Sequence, residues 1–132
     1  MTSKVVYAGN LRTEATHLQS GNTIITDAPT DNNGKGEAFS PTDLVATALA
    51  SCMLTIMGIK ANASQLNIDG TTATVNKIMA SNPRRISRIE IVIELPPNNF
   101  SDHDKKMLVL AAETCPVAKS IGDIQVELMV KG

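Results

Sequence analysis

Residues 39–61 read FSPTDLVATALASCMLTIMGIKA and carry the pattern of a long buried helix. Ser40 is a favoured N-cap residue, Pro41 suits the first helical position, and Asp43 suits the positive end of the helix dipole. The pattern predicts a helix to about Ala61, and this broad apolar surface is typical of a central helix. Apolar side chains recur there in two adjacent i,i+4 rows: Leu44, Ala48, Cys52 and Ile56, and Val45, Leu49, Met53 and Met57.

The uncharged part of this stretch is too short to predict a membrane span. It covers residues 44–59, which is 16 residues, and a span needs roughly 20. It also contains three hydroxyl side chains. The sequence therefore predicts a core helix and no membrane partner.

Strand signals lie on both sides of the helix, separated by turn residues. The order β-β-β-α-β-β-α-β predicts an α+β fold in one domain over residues 1–132. Cys115 should then cap a further short helix, Pro116 to Ile121. The predicted segments are strands at 4–7, 13–18 and 23–26, a loop at 28–37, a hairpin of strands 71–79 and 84–95, a second helix at 101–115 and a last strand at 124–130.

Composition and charge exclude some functions. Apolar residues make up 42% and charged residues 19%, as in ordinary globular proteins. A net charge of −1 and 2% aromatics provide neither the positive charge nor the stacking surfaces that nucleic acid requires. The first ten residues lack the apolar core of a secretory signal, which predicts a cytoplasmic protein with reduced thiols.

The two cysteines are the residues that suggest chemistry. Cys115, at the cap of its predicted helix, should favour the thiolate. Cys52 lies in mid-helix on the apolar face, where burial opposes ionisation, so it needs a nearby cation. Four arginines are candidates for that cation: Arg12, Arg84, Arg85 and Arg88.

Two cysteines far apart in sequence fit peroxide chemistry if they meet in the fold. One thiolate attacks the O–O bond and becomes a sulfenic acid, and the second thiol condenses with it to a disulfide. Their Cα atoms must then approach within about 7 Å. Both cysteines lie in inward-facing helical rows, so they can meet in the core. The alternative is that both thiols are only core residues.

Three short segments resemble the OsmC/Ohr family of osmotically inducible and organic hydroperoxide resistance proteins. They are FSPTDL at 39–44, ALASC at 48–52, and CPV at 115–117 followed by Ser120. The resemblance implies an intertwined homodimer with two active sites at the subunit interface. It also implies that Cys52 attacks the peroxide, Cys115 resolves the intermediate and Arg12 activates the thiolate.

One position departs from the family pattern. A glutamate typically follows the helix-opening proline and orients the arginine, whereas this chain has Thr42. We expect Thr42, Met53 and Met57 to contact the substrate, although the two methionines are also explained as core residues.

The sequence thus predicts reduction of a small organic hydroperoxide to its alcohol, with regeneration by a dithiol. It predicts no cofactor and no metal, because His17 and His103 lack the spacing of metal ligands. Two alternatives remain: a non-catalytic protein that binds a small ligand, and a general thiol oxidoreductase or redox sensor.

Overall fold

The computed structural model describes residues 1–132, and it has the predicted order of strands and helices. The α+β class is confirmed. The chain divides into two compact units, Met1–Val45 and Ala46–Gly132, and the boundary falls inside the first helix. The single-domain prediction stays a prediction. The elements are β1 (Ser3–Gly9), β2 (Arg12–His17), β3 (Thr23–Asp27), α1 (Pro41–Ala63), β4 (Thr72–Ala80), β5 (Arg85–Glu94), α2 (Asp102–Glu113) and β6 (Gln125–Lys131).

The first unit is an antiparallel meander in the order β1-β2-β3. Asn10 and Leu11 both have positive φ at the β1–β2 connection, the backbone conformation that matches the twist of a tight hairpin. In the β2–β3 register, Arg12 lies directly opposite Asp27. This pairing brings together two charged residues that are 15 positions apart in the chain.

The start of α1 follows the predicted capping pattern. The Asp43 backbone N–H donates to Ser40 Oγ at 3.0 Å, and the Ser40 N–H donates to an Asp43 carboxylate oxygen at 3.0 Å. This reciprocal pair satisfies two backbone donors that a helix start otherwise leaves without partners. It therefore fixes the residue at which the long helix begins.

The second unit packs α1 and α2 against the sheet β4-β5-β6. The hairpin β4–β5 is antiparallel, and β6 returns parallel to β5 after the α2 crossover. Because side chains alternate along a strand, β5 directs Ile89, Ile91 and Ile93 into the core, where each is at most 1% exposed. The central strand therefore contributes the apolar layer on which the helices rest.

The second helix is capped at its start and ends two residues earlier than predicted. Ser101 and Asp104 form a capping box, and the helix ends at Glu113 because the proline at 116 disfavours helical geometry just before it. The predicted short helix Pro116 to Ile121 is wrong. This segment forms turns, because a helix of six residues has too few hydrogen bonds to offset its nucleation.

One helix, α1, is long and apolar enough to cross a membrane by length and composition, with 23 residues and a mean hydropathy of 1.8 over an 18-residue window. It is longer than the uncharged run that the sequence indicated. Within the second unit it packs into the apolar core through six residues that share one side: Ala46, Leu49, Ala50, Met53, Met57 and Ala61. This packing is that of a core helix.

Candidate functional site

The structure brings the two cysteines together. Cys52 on α1 lies beside Cys115 just after α2, close enough to affect the pKa of the Cys115 thiol, and neither cysteine is in a disulfide. At the other end of the helix pair, Ser64 Oγ donates to Met107 Sδ at 3.5 Å. The two contacts show that α1 and α2 run antiparallel. Both thiols lie on the side where the two helices face each other.

The two thiols differ in their surroundings. Cys52 is half-buried, whereas Cys115 is fully buried in the core. Burial raises the pKa of the Cys115 thiol, and the neighbouring Cys52 raises it further. The Ala118 backbone N–H donates to Cys115 Sγ at 3.3 Å and acts in the opposite direction, but burial has the larger effect.

The prediction that the position of Cys115 favours its thiolate is therefore wrong. That prediction needed a helix after Pro116, and the segment forms turns. The Val117 and Ala118 backbone N–H groups lower the pKa of Cys115, but burial raises it by more, so the site favours the neutral thiol.

Arg12 is held by a carboxylate that the sequence analysis did not identify. Its Nε donates to Asp27 Oδ1 at 2.7 Å and its Nη2 donates to Asp27 Oδ2 at 2.8 Å. Asp27 is only 2% exposed, and it also accepts the Glu37 backbone N–H at 3.2 Å. The Arg12 hydrogen bond holds the pKa of the Asp27 carboxyl below its ordinary value. Only the strand register shows that these two residues pair.

Two arginines of the β4–β5 hairpin, Arg85 and Arg88, are held by its turn and by acidic residues of β5 and β6. Arg85 Nη1 donates to the Ser81 and Pro83 carbonyl oxygens at 3.0 Å, which closes the turn. Arg88 forms ion pairs with Glu90 and Glu127 on the sheet surface. These contacts are structural, and Arg12 is the candidate whose carboxylate partner is buried.

The three predicted substrate contacts lie in different surroundings. Met53 and Met57 are 2% and 0% exposed and belong to the core. Thr42 lies in the first turn of α1, with its Oγ1 3.2 Å from Ser40 Oγ. The two methionines are therefore core side chains, whereas Thr42 belongs to the start of the helix.

An open apolar groove runs between the second half of α1 and α2. It has a volume of about 830 Å³. Its lining includes Ile56 and Ala111, which lie four residues, or one helical turn, from Cys52 and Cys115 respectively. No pattern in the sequence indicated the groove, because a groove of this kind requires two helices to be placed side by side. The other lining residues are Ile59, Lys60, Ala63, His103, Lys106, Met107, Leu110 and Thr114.

Two neighbouring free thiols thus lie on an α+β scaffold. The family model for OsmC-like proteins matches residues 34–129 of this chain. The chain therefore belongs to the OsmC-like family, and the predicted family is confirmed. No curated protein sequence matches the chain.

Solved structures share the fold over nearly the whole chain. A protein of Psychrobacter arcticus 273-4, named for an inferred role in osmotic stress induction and detoxification, is 58% identical with a TM-score of 0.94, covering 98% of this chain and 95% of that one. The organic hydroperoxide resistance protein OsmC of Legionella pneumophila is 18% identical with a TM-score of 0.78, covering 100% and 98%. The organic hydroperoxide resistance protein OhrB of Bacillus subtilis is 22% identical with a TM-score of 0.69, covering 99% and 98%. The last two similarities concern the fold alone.

Proposed function

We propose that this protein reduces organic hydroperoxides to alcohols through a disulfide cycle between Cys52 and Cys115. The observation that carries the proposal is the proximity of two free thiols that 62 intervening residues separate in the sequence. Neighbouring cysteines can form a disulfide when their Cα atoms lie within about 7 Å. The names of related structures, which refer to organic hydroperoxide resistance, support the same chemistry.

The cycle has three balanced steps. The Cys52 thiolate attacks the terminal oxygen of the hydroperoxide, the O–O bond breaks, and the alkoxide takes a proton to leave as the alcohol. The Cys115 thiol then attacks the Cys52 sulfenic acid, and water leaves as the S–S bond forms. A dithiol reductant, oxidised to its own disulfide, restores both thiols.

The surroundings of the thiols support Cys52 as the attacking residue. The raised pKa of Cys115 keeps it protonated, which suits a thiol that reacts second, with an electrophilic sulfenic acid already beside it. Cys52 is half-buried, so it can be reached from outside. The family resemblance gives the same assignment, and it makes Arg12 the arginine that stabilises the thiolate and the leaving oxygen.

The groove is a suitable binding site for the organic part of the peroxide. Its apolar lining suits an alkyl or aryl group, and it begins one helical turn from each cysteine. Met107 lines it, whereas Met53 and Met57 are enclosed in the core. We therefore propose Ile56, Met107 and Ala111 as the substrate contacts, while a contact through Thr42 rests on the resemblance.

Oxidation of the reduced protein tests the proposal. We expect cumene hydroperoxide to consume both free thiols per chain, with one intramolecular disulfide found by mass spectrometry. Cys52→Ser should retain its remaining thiol, because the attacking sulfur is absent. Unreactive thiols in the folded wild-type protein would contradict the proposal.

We also propose a homodimer, on the evidence of exposed apolar side chains. Ten of the thirteen large apolar side chains that are exposed in the single chain lie within residues 1–45, and an apolar surface of this kind is usually covered by another chain. Val5, Val6 and Tyr7 are consecutive in β1 and all more than half exposed, so both faces of that strand lack cover. Light scattering should give a mass twice that of one chain, and a monomer at micromolar concentration would count against the dimer.

The groove also favours a second candidate function, the binding of a small apolar molecule without catalysis. That function predicts a bound lipid-like species in native mass spectrometry and thiols that do not react with peroxides. A general thiol oxidoreductase or redox sensor would instead form the disulfide without preferring bulky peroxides to hydrogen peroxide. Reduced thiols at rest fit a cytoplasmic location for all three functions.

A further inference from the structure

Asp27 is the one charged residue in the buried set of this chain. A buried carboxylate is costly unless it is paired and hydrogen-bonded, and this one is both. It accepts two hydrogen bonds from Arg12 and one from the Glu37 backbone N–H, while its own N–H donates to the Phe39 carbonyl oxygen at 3.0 Å. Its position is therefore fixed by backbone contacts on the segment that leads into α1.

The geometry of the pair fixes the plane of the guanidinium. Two parallel N–H···O bonds from one edge of Arg12 prevent rotation that a single bond would allow. Asp27 engages Nε and Nη2, which leaves the Nη1 edge for a different partner. The Arg12 side chain is 35% exposed, so it is not enclosed with its partner.

We infer that Asp27 is the positioning residue for Arg12, and that it supplies from β3 the orienting carboxylate that the family pattern places after the helix-opening proline. In this chain that family position is Thr42, which has no carboxylate. The inference rests on the proposed function, since it assigns Asp27 a role through the arginine of that reaction. It explains how Arg12 is still oriented although Thr42 stands where the family pattern has a glutamate.

A double-mutant cycle separates positioning from a structural role. The variants are Arg12→Lys, Asp27→Asn and the two combined, with Glu14→Gln as the matched control. Glu14 is an exposed carboxylate on the same sheet, two residues from Arg12. Two rates are measured on folded, reduced protein: reduction of cumene hydroperoxide, and alkylation of Cys52 by iodoacetamide followed by peptide mass spectrometry.

We expect each single substitution to lower both rates by about tenfold or more, and the double variant to be no slower than Arg12→Lys. Arg12→Lys keeps the charge but cannot make the two-bonded contact, so it should behave as Asp27→Asn does. Glu14→Gln should match the wild-type rates. If Asp27→Asn does not fold, Arg12→Lys decides the question. A wild-type rate in that variant would show that the oriented guanidinium of Arg12 is dispensable.

The two readouts distinguish failure of the inference from failure of the proposed function. Additive effects in the cycle, with an active wild type, would overturn the positioning role and leave the peroxidase proposal standing. Coupled effects on Cys52 alkylation in a protein that does not reduce peroxide would overturn the peroxidase proposal, while the positioning of Arg12 by Asp27 would stand.

Discussion

Cys115→Ser is expected to stop catalytic turnover after a single oxidation of Cys52. The hydroxyl of serine cannot condense with a sulfenic acid to form a disulfide, so the cycle has no resolving step. The steady-state rate of peroxide reduction should fall by about a thousandfold or more, as is typical when a residue that makes a covalent bond in the reaction is removed.

The first oxidation of Cys52 should still occur in the same variant. A burst of about one alcohol per chain should be seen, with the Cys52 sulfenic acid trapped by dimedone. Cys52→Ser, the matched control, should show neither burst nor trapping. Sustained turnover by Cys115→Ser with a dithiol as reductant would contradict the assigned role.

The pH dependence of disulfide formation follows from the same site. Burial raises the pKa of Cys115, so at neutral pH its reactive thiolate is scarce. A higher pH increases the fraction of Cys115 present as thiolate. In the wild-type protein, the rate of disulfide formation after oxidation of Cys52 should therefore rise with pH through the ordinary cysteine range and beyond it. In Cys115→Ser, the Cys52 sulfenic acid should not disappear faster as the pH rises, because no second thiol can condense with it.

Leu49→Ala is expected to cause the largest loss of stability among conservative changes near the site. Leu49 is 0% exposed and lies three residues before Cys52 on α1. Truncation there removes buried apolar contacts and leaves a cavity, which costs about 2 to 5 kcal/mol of unfolding free energy. Because unfolding of an oligomer depends on concentration, urea denaturation is compared at one protein concentration under reducing conditions.

The control for this prediction is Leu110→Ala. Leu110 is also helical but 54% exposed, so the same truncation should change the unfolding free energy by no more than about 0.5 kcal/mol. Equal effects of the two substitutions would show that the core is not organised as described. A smaller effect for Leu49→Ala than for Leu110→Ala would have the same meaning.

Most of the fold was predictable because its signals are local. The capping pattern of Ser40 and Asp43 depends on residues within one helical turn, and the alternation in β5 needs only consecutive residues. The order of elements was correct for this reason. Boundaries shifted by a few residues, as at Glu113, where several weak preferences compete.

The candidate site was predictable only in part. Both cysteines lie in inward-facing rows, which indicated that they could meet, and they are neighbours in the structure. The relative acidity of the thiols was not predictable, because desolvation of Cys115 depends on all the elements packed around it. The placement of Met53 and Met57 beneath the surface likewise depends on the packed core.

The sequence by itself determined the elements, the family resemblance and the two residues that carry the proposed chemistry. The tertiary structure decided which thiol is buried, which carboxylate holds Arg12 and where an apolar groove opens. The physical reason is the range of the interactions. Caps and periodicity act over a few residues, whereas burial, cross-strand pairing and cavities arise between segments that the chain brings together only when it folds.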